Sequence, residues 1–298
     1  MSKKPVDSLR ALLADTVDYA GLFPPSKVSM KTAVRNYADY LESEHRWMLG
    51  RFVVPVADLN EFIETQKSLE KPKNVWRLSV IAGADVPADL EKVQRINEKY
   101  PDYLYIETIE VKADSAAKIR EISRLLPENL ICYFEIPTAT VLTDLITAIA
   151  LTKTRAKIRT GGVTPESFPP VDEIVKFIRI CTAANIPFKA TAGLHHPLRC
   201  HKPLTYEENA VKGTMNGFLN LFLVAVFLRG NLNHTFVHKL MKDTDASDFE
   251  FTDDGISWKN HTATVSEIEL ARRRGIISFG SCSFTEPIED LKTLNILH

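Results

Sequence analysis

The run Lys157-Ile-Arg-Thr-Gly-Gly162 and the run Phe188-Lys-Ala-Thr-Ala-Gly-Leu-His-His196 stand either side of a segment, 171–184, whose apolar residues recur at helical spacing. Each run starts as a short strand and reaches glycine within a few residues, so the stretch reads strand, loop, helix, strand. Side chains alternate along a strand, which puts Lys157 and Arg159 on one face, and Lys189 and Thr191 on one face of the next strand. A helical crossover makes the two strands parallel, and neighbouring strands lie about 4.8 Å apart. Two lysine amines are therefore expected in one cavity.

That pairing has a chemical use. An ordinary lysine, with a pKa near 10.4, is neutral in only about one molecule in 2,500 at pH 7, and only the neutral amine attacks a carbonyl. Bringing the pKa to about 7 takes roughly 4.6 kcal/mol. A second cation about 5 Å away supplies roughly 3.3 kcal/mol at an effective dielectric of about 20, and partial burial supplies the rest.

Outward from this stretch, short apolar runs alternate with helical patterns. Strands are expected at 17–23, 51–56, 75–81, 103–109, 130–136, 157–160, 188–192 and 275–280. Eight strands alternating with helices fit one α/β domain over 1–298, a (β/α)8 TIM-type barrel, better than an open sheet. The rhythm breaks once. Between strands seven and eight lies an insertion, 197–274, with helices expected at 206–228 and 236–241 and a hairpin about Asp254-Gly255.

Chemistry in such barrels sits at the carboxyl ends of the strands. Opposite Lys157, Arg159 and Lys189 come Asp18, Glu135 and either Glu107 or Glu110. The last two are an odd number of positions apart, so a regular strand turns only one inward, and Glu107, nearer mid-strand, is expected to be that one. Carboxylates are needed because an unpaired buried charge costs several kcal/mol. After strand seven, His195 and His196 suit an acid, a base or a substrate donor. With Cys200 and His201 they also invite a metal reading, but the spacing matches no zinc signature and no metal is expected. Strand eight ends Phe279-Gly-Ser-Cys-Ser-Phe284. Backbone amides around Gly280, Ser281 and Ser283 suit an anion, and Gly162 and Gly193 allow close backbone approach.

The totals narrow the partners. With 37 basic against 38 acidic side chains in 298 residues, nothing points to nucleic acid or an anionic membrane surface. No apolar core follows the N-terminal lysines, so no signal peptide is expected. The apolar run 218–228 falls short of the roughly 18 residues of a membrane span; it reads as a buried or subunit-facing helix, hence a homo-oligomer. Four scattered cysteines, with no Cys-x-x-Cys, read as free thiols in a reducing cytoplasm.

Lys157-Ile-Arg-Thr-Gly161 resembles the Lys-Thr-Ser-Thr-Gly run of deoxyribose-phosphate aldolases. Phe188-Lys-Ala-Thr-Ala-Gly193 is similar to that family's Phe-Lys-Pro-Ala-Gly-Gly, and Phe279-Gly-Ser-Cys-Ser283 to its Phe-Gly-Ala-Ser-Ser. The resemblance implies Lys157 as Schiff-base nucleophile, Lys189 as the cation that activates it, and the strand-eight loop as a phosphate contact. It also implies Asp18 and Glu107 where the family keeps proton-transferring aspartates. Arg159 replaces a serine and implies a more anionic substrate. The chain departs from the family at Ala-Gly-Leu-His-His after strand seven and in the insertion.

The expectation is a class I, Schiff-base aldolase-like lyase acting on a small anionic carbonyl compound, phosphorylated or carboxylated, without metal or organic cofactor. Glu135, Glu107 or Asp18 would relay protons, and Arg159 and Thr191 would meet the substrate. Two alternatives stay open: a metal-assisted hydrolase or isomerase using Glu135 with His195, His196 or His201, and a non-catalytic barrel that holds an anionic metabolite.

Overall fold

In Arg155-Ala-Lys-Ile-Arg159 alternation puts three cations on one face and Ala156 and Ile158 on the other, and the apolar pair is fully buried. The same division recurs around a closed barrel. The computed structural model describes residues 4–69, 74–138, 142–230 and 233–298. Seven strands come first: β1 (Val17–Tyr19), β2 (Leu49–Pro55), β3 (Trp76–Ile81), β4 (Leu104–Lys112), β5 (Ile131–Glu135), β6 (Arg155–Arg159) and β7 (Phe188–Thr191). Five short strands intervene, β8 (Cys200–Pro203), β9 (Lys212–Met215), β10 (Phe249–Phe251), β11 (Gly255–Trp258) and β12 (His261–Thr264), before β13 (Ile276–Ser281). The barrel runs β1, β13, β7, β6, β5, β4, β3, β2 and closes on itself, every pair parallel. This is the expected (β/α)8 barrel.

Helices cover the apolar face. α1 (Asp7–Leu13) precedes β1, and α2 (Met30–Leu41), α3 (Leu59–Lys67), α4 (Val86–Lys99), α5 (Ala116–Ser123), α6 (Leu142–Leu151) and α7 (Val171–Ala183) follow β1 to β6 in turn. Ser29 caps α2 as its position suggests, its hydroxyl accepting the Thr32 N–H. Three more helices, α8 (Phe218–Arg229), α9 (His234–Lys242) and α10 (Val265–Arg274), lie before β13, and α11 (Thr285–Thr293) follows it.

The helix expected over 206–228 is shorter. Its first part instead forms β9, paired antiparallel with β8. Gly213 and β-branched Thr214 disfavour helix, and a side chain at Gly213 would press within 2.9 Å of Leu204. α8 itself is apolar on every face, the pattern of a fully buried helix, and Phe218 to Phe227 are all buried. It packs on α7, α9, α10 and β13, with Phe218 stacked 4.9 Å from Phe279. Within 197–274, then, lies the barrel's own seventh outer helix. Its apolar run is covered inside one chain, so the subunit-facing role expected for it is corrected.

The rest of the insertion divides between the two ends of the barrel. The β8–β9 ribbon follows the carboxyl end of β7 and meets the 165–167 turn beyond β6. The β10–β11–β12 sheet, wider than the hairpin expected there, lies against α1 near the amino ends, where the Ser8 N–H donates to Thr252 O at 3.3 Å. Among the described residues no helix is long and apolar enough to cross a membrane.

Candidate active site

Register brings the two lysines together. Lys157 and Lys189 are Cα partners across β6 and β7, and Glu135 on β5 is the partner of Lys157. All three side chains point into the barrel, as the alternation requires. Lys157 is 3% and Lys189 1% exposed, and both line a cavity of about 480 Å³ together with Glu110, Glu135, Arg159 and Thr191. A cavity of this size suits a small molecule.

The carboxylate between the amines is Glu110. It lies 2.5 Å from Lys157 Nζ and 2.6 Å from Lys189 Nζ, and accepts the Ser79 hydroxyl at 2.6 Å. The expectation of Glu107 is corrected here. β4 slips register between Ile106 and Thr108, so Glu107 occupies a bulge and the odd spacing no longer separates the two glutamates. Glu107 instead grips Arg51 at 2.9 Å and Arg77 at 3.0 Å, deeper toward the amino end.

These residues continue a row of ions that runs the length of the barrel. From the foot, Asp15 meets Arg77, Arg77 meets Glu107, Glu107 meets Arg51, and Arg51 lies 3.6 Å from Asp18. Asp18 meets Lys189 at 2.6 Å, Glu110 joins Lys189 to Lys157, and Glu135 joins Lys157 at 2.7 Å to Arg159 at 3.2 Å. The sign alternates at every step. Such pairing is what lets so many charges be buried, since each ion removed from water costs several kcal/mol unless its partner is in place.

The electrostatics follow. Burial opposes the charge of Asp18, but Lys189 and Arg51 outweigh it and hold the carboxyl below its ordinary range. Glu110 is likewise lowered against its burial by Lys157 and Lys189, and Glu135 by Lys157 and Arg159. Burial would lower Lys189; Asp18 and Glu110 reverse this and raise it above the usual lysine value. Lys189 is thus a fixed cation, further oriented by the face of the Tyr133 ring at 5.5 Å.

The remaining candidates divide. Arg159 stands half-exposed at the mouth, its Nε donating to Glu135. Thr191, Gly162, Gly280 and His195 line the cavity. Gly193 serves packing: its φ is +72°, and a side chain there would approach the Gly161 Cα within 2.9 Å. Ser281 and Ser283 turn into their own loop, Ser281 Oγ accepting the Ser283 N–H and Ser283 Oγ accepting the Glu286 N–H. His196 is bound to Asp290 on α11, with Lys202 beside it at 3.3 Å, away from the cavity lining. His201 lies exposed on the ribbon beside Thr214. Among the described residues no group of three or more His, Cys, Asp or Glu side chains is placed to hold a metal ion.

Sequence reasoning passed over Cys282, which lines the cavity next to His195. The signal was there, a cysteine one residue beyond the strand-eight glycine-serine pair, but its alternation with Gly280 was not used. No protein-family model, curated protein or solved structure matches the chain.

Proposed function

We propose that the protein is a Schiff-base lyase of the class I aldolase type, acting on a small anionic carbonyl compound with Lys157 as nucleophile. The observation that carries this reading is the in-register pair Lys157 and Lys189, bridged by Glu110 at the wall of a substrate-sized cavity. Lys157 passes a proton to Glu135, 2.7 Å away, and the free amine adds to the carbonyl carbon. The carbinolamine oxygen leaves as water, and the bond between the α and β carbons then breaks, its electrons passing into the protonated imine to leave an enamine while the β-hydroxyl gives up its proton and becomes the carbonyl of the released fragment. Glu110, in contact with the same Nζ, is the second proton acceptor, and Lys189 stays charged throughout. Arg159 at the mouth takes the substrate's carboxylate or phosphate. This chemistry needs no metal or organic cofactor.

One observation favours a second reading. Both amines are fully paired with carboxylates, as in a barrel that holds an anionic metabolite without turning it over. Reductive trapping separates the two. Incubation with small aldehydes and 2-oxo acids in the presence of borohydride should add the reduced carbonyl compound to the peptide containing Lys157, read by mass spectrometry. A Lys157→Ala variant should lose the adduct, and labelling unchanged by that substitution sinks the lyase assignment. Saturable ligand binding with no adduct in the parent chain supports the metabolite-holding barrel.

A further inference from the structure

At the rim of the cavity, beyond the ion row, lies a second cluster the lyase chemistry does not use. Cys282 Sγ accepts the Ser26 hydroxyl at 3.1 Å and faces His195 Nδ1 at 3.8 Å. His195 Nδ1 also lies 3.1 Å from Glu286 Oε2, and Tyr206, from the loop of the β8–β9 ribbon, donates to that same oxygen at 3.0 Å. The Ser26 hydroxyl thus donates to the sulfur and the His195 ring nitrogen faces it, while the Tyr206 hydroxyl, 3.8 Å from the same sulfur, donates to Glu286. A hydroxyl donor and an imidazole beside one sulfur favour thiolate over thiol. Cys282 also stands three residues ahead of α11, whose amino end favours negative charge.

The ring geometry narrows the chemistry further. In a hydrolytic triad the nucleophile and the orienting carboxylate engage opposite ring nitrogens. Here both face Nδ1, so the imidazole stabilises the sulfur as a counter-ion and does not relay a proton away from it. We propose that Cys282 and His195 form a thiolate–imidazolium pair on the cavity wall, a modification site for small hydroperoxides entering through the barrel mouth. The thiolate attacks one peroxide oxygen, the S–O bond forms as the O–O bond breaks, and the sulfur is oxidised by two electrons to sulfenic acid. The peroxide is reduced to hydroxide, which takes the proton of the His195 imidazolium and leaves as water, or as an alcohol from an alkyl hydroperoxide.

The electrostatics of the surroundings agree. Burial would raise the Cys282 thiol, but His195 and Ser26 lower it, while His195, against its own burial, is raised to about 10 by Cys282 and Glu286. The other titratable groups facing the sulfur are Glu286 on α11, Tyr206 on the ribbon and Tyr19 on β1. Burial pushes the thiols of Cys132 and Cys181 up, and that of Cys200 up to about 11. The chain therefore carries its own controls.

The test does not depend on Lys157 or on any lyase activity. Treating the whole protein with iodoacetamide at about pH 6.5 and reading each cysteine peptide by mass spectrometry should show Cys282 alkylated at least about ten-fold faster than Cys200. Its rate should stay nearly flat to about pH 8.5, where an ordinary thiol would gain with every step. Hydrogen peroxide followed by dimedone should then leave a dimedone adduct on Cys282. Alkylation no faster than that of Cys200, or rapid alkylation with no dimedone adduct, overturns the proposal. In a folded His195→Gln variant the Cys282 rate should fall at neutral pH and recover in alkali, and an unchanged rate overturns it as well. Should that variant not fold, the comparison among the four native cysteines still decides.

Discussion

Glu110 holds together what the rest of the site uses. Among the described residues it is the one carboxylate shared by Lys157 and Lys189, and its own burial is tolerable only because both amines and the Ser79 hydroxyl engage it. Glu110→Gln keeps the shape but removes the charge, leaving an uncompensated cation in the barrel. We expect a loss of about 3 kcal/mol or more in unfolding free energy, measured by urea denaturation. A change below about 1 kcal/mol would mean that the amines find other partners. The lysines were legible in the sequence because an alternating strand ending in glycine fixes both their face and their place at the carboxyl end. Glu110 was not, because counting by twos fails at a bulge and nothing in Tyr105-Ile-Glu-Thr-Ile-Glu110 announces the slip at Glu107.

Among the elements, the ends of β6 and β7 show how closely two strands are joined above the site. Gly161 and Gly193 pack Cα against Cα, with the Phe168 ring over both, and Gly193 holds a left-handed backbone. Gly193→Ala should cost about 1–2 kcal/mol from the backbone alone, with more from the clash, and should lower the thermal midpoint measurably. An unchanged midpoint would show that the joint is loose. Element order was readable because each strand carries its own alternation and each helix its own stripe. α8 escaped a correct start because a helix apolar all round has no stripe to mark its first turn, and the ribbon before it carries too few residues to display a period.

Over the whole molecule the charge row makes stability a function of pH. Asp18, Glu107, Glu110 and Glu135 are all lowered in the folded chain. A lowered carboxyl binds protons more weakly folded than unfolded, so its stabilisation is present above its ordinary value near pH 4 and is lost as pH falls through the folded value. Lys189 is raised, so its share is present below about pH 10.4 and is lost as pH rises through its folded value. Urea midpoints should therefore hold level from about pH 5 to about pH 10 as far as these groups are concerned, then fall on either side. The acid fall is the steeper, each carboxylate contributing up to about 1.4 kcal/mol per pH unit. A midpoint that stays constant down to about pH 3 would show that the row is not formed in solution. Barrel closure was legible from eight alternating segments, but the row was not. It joins residues from seven strands and the turn before β1, and its order exists only once the register is set.

Because the alternation of sign has no gap between Asp15 and Arg159, the barrel works as one polarisable rod rather than as a pocket resting on an inert floor. Moving a proton at the mouth shifts the balance of every pair beneath it. The exposed end at Asp15 and Arg77, away from the cavity, is thereby a second place from which the charge balance at Lys157 and Lys189 can be tuned.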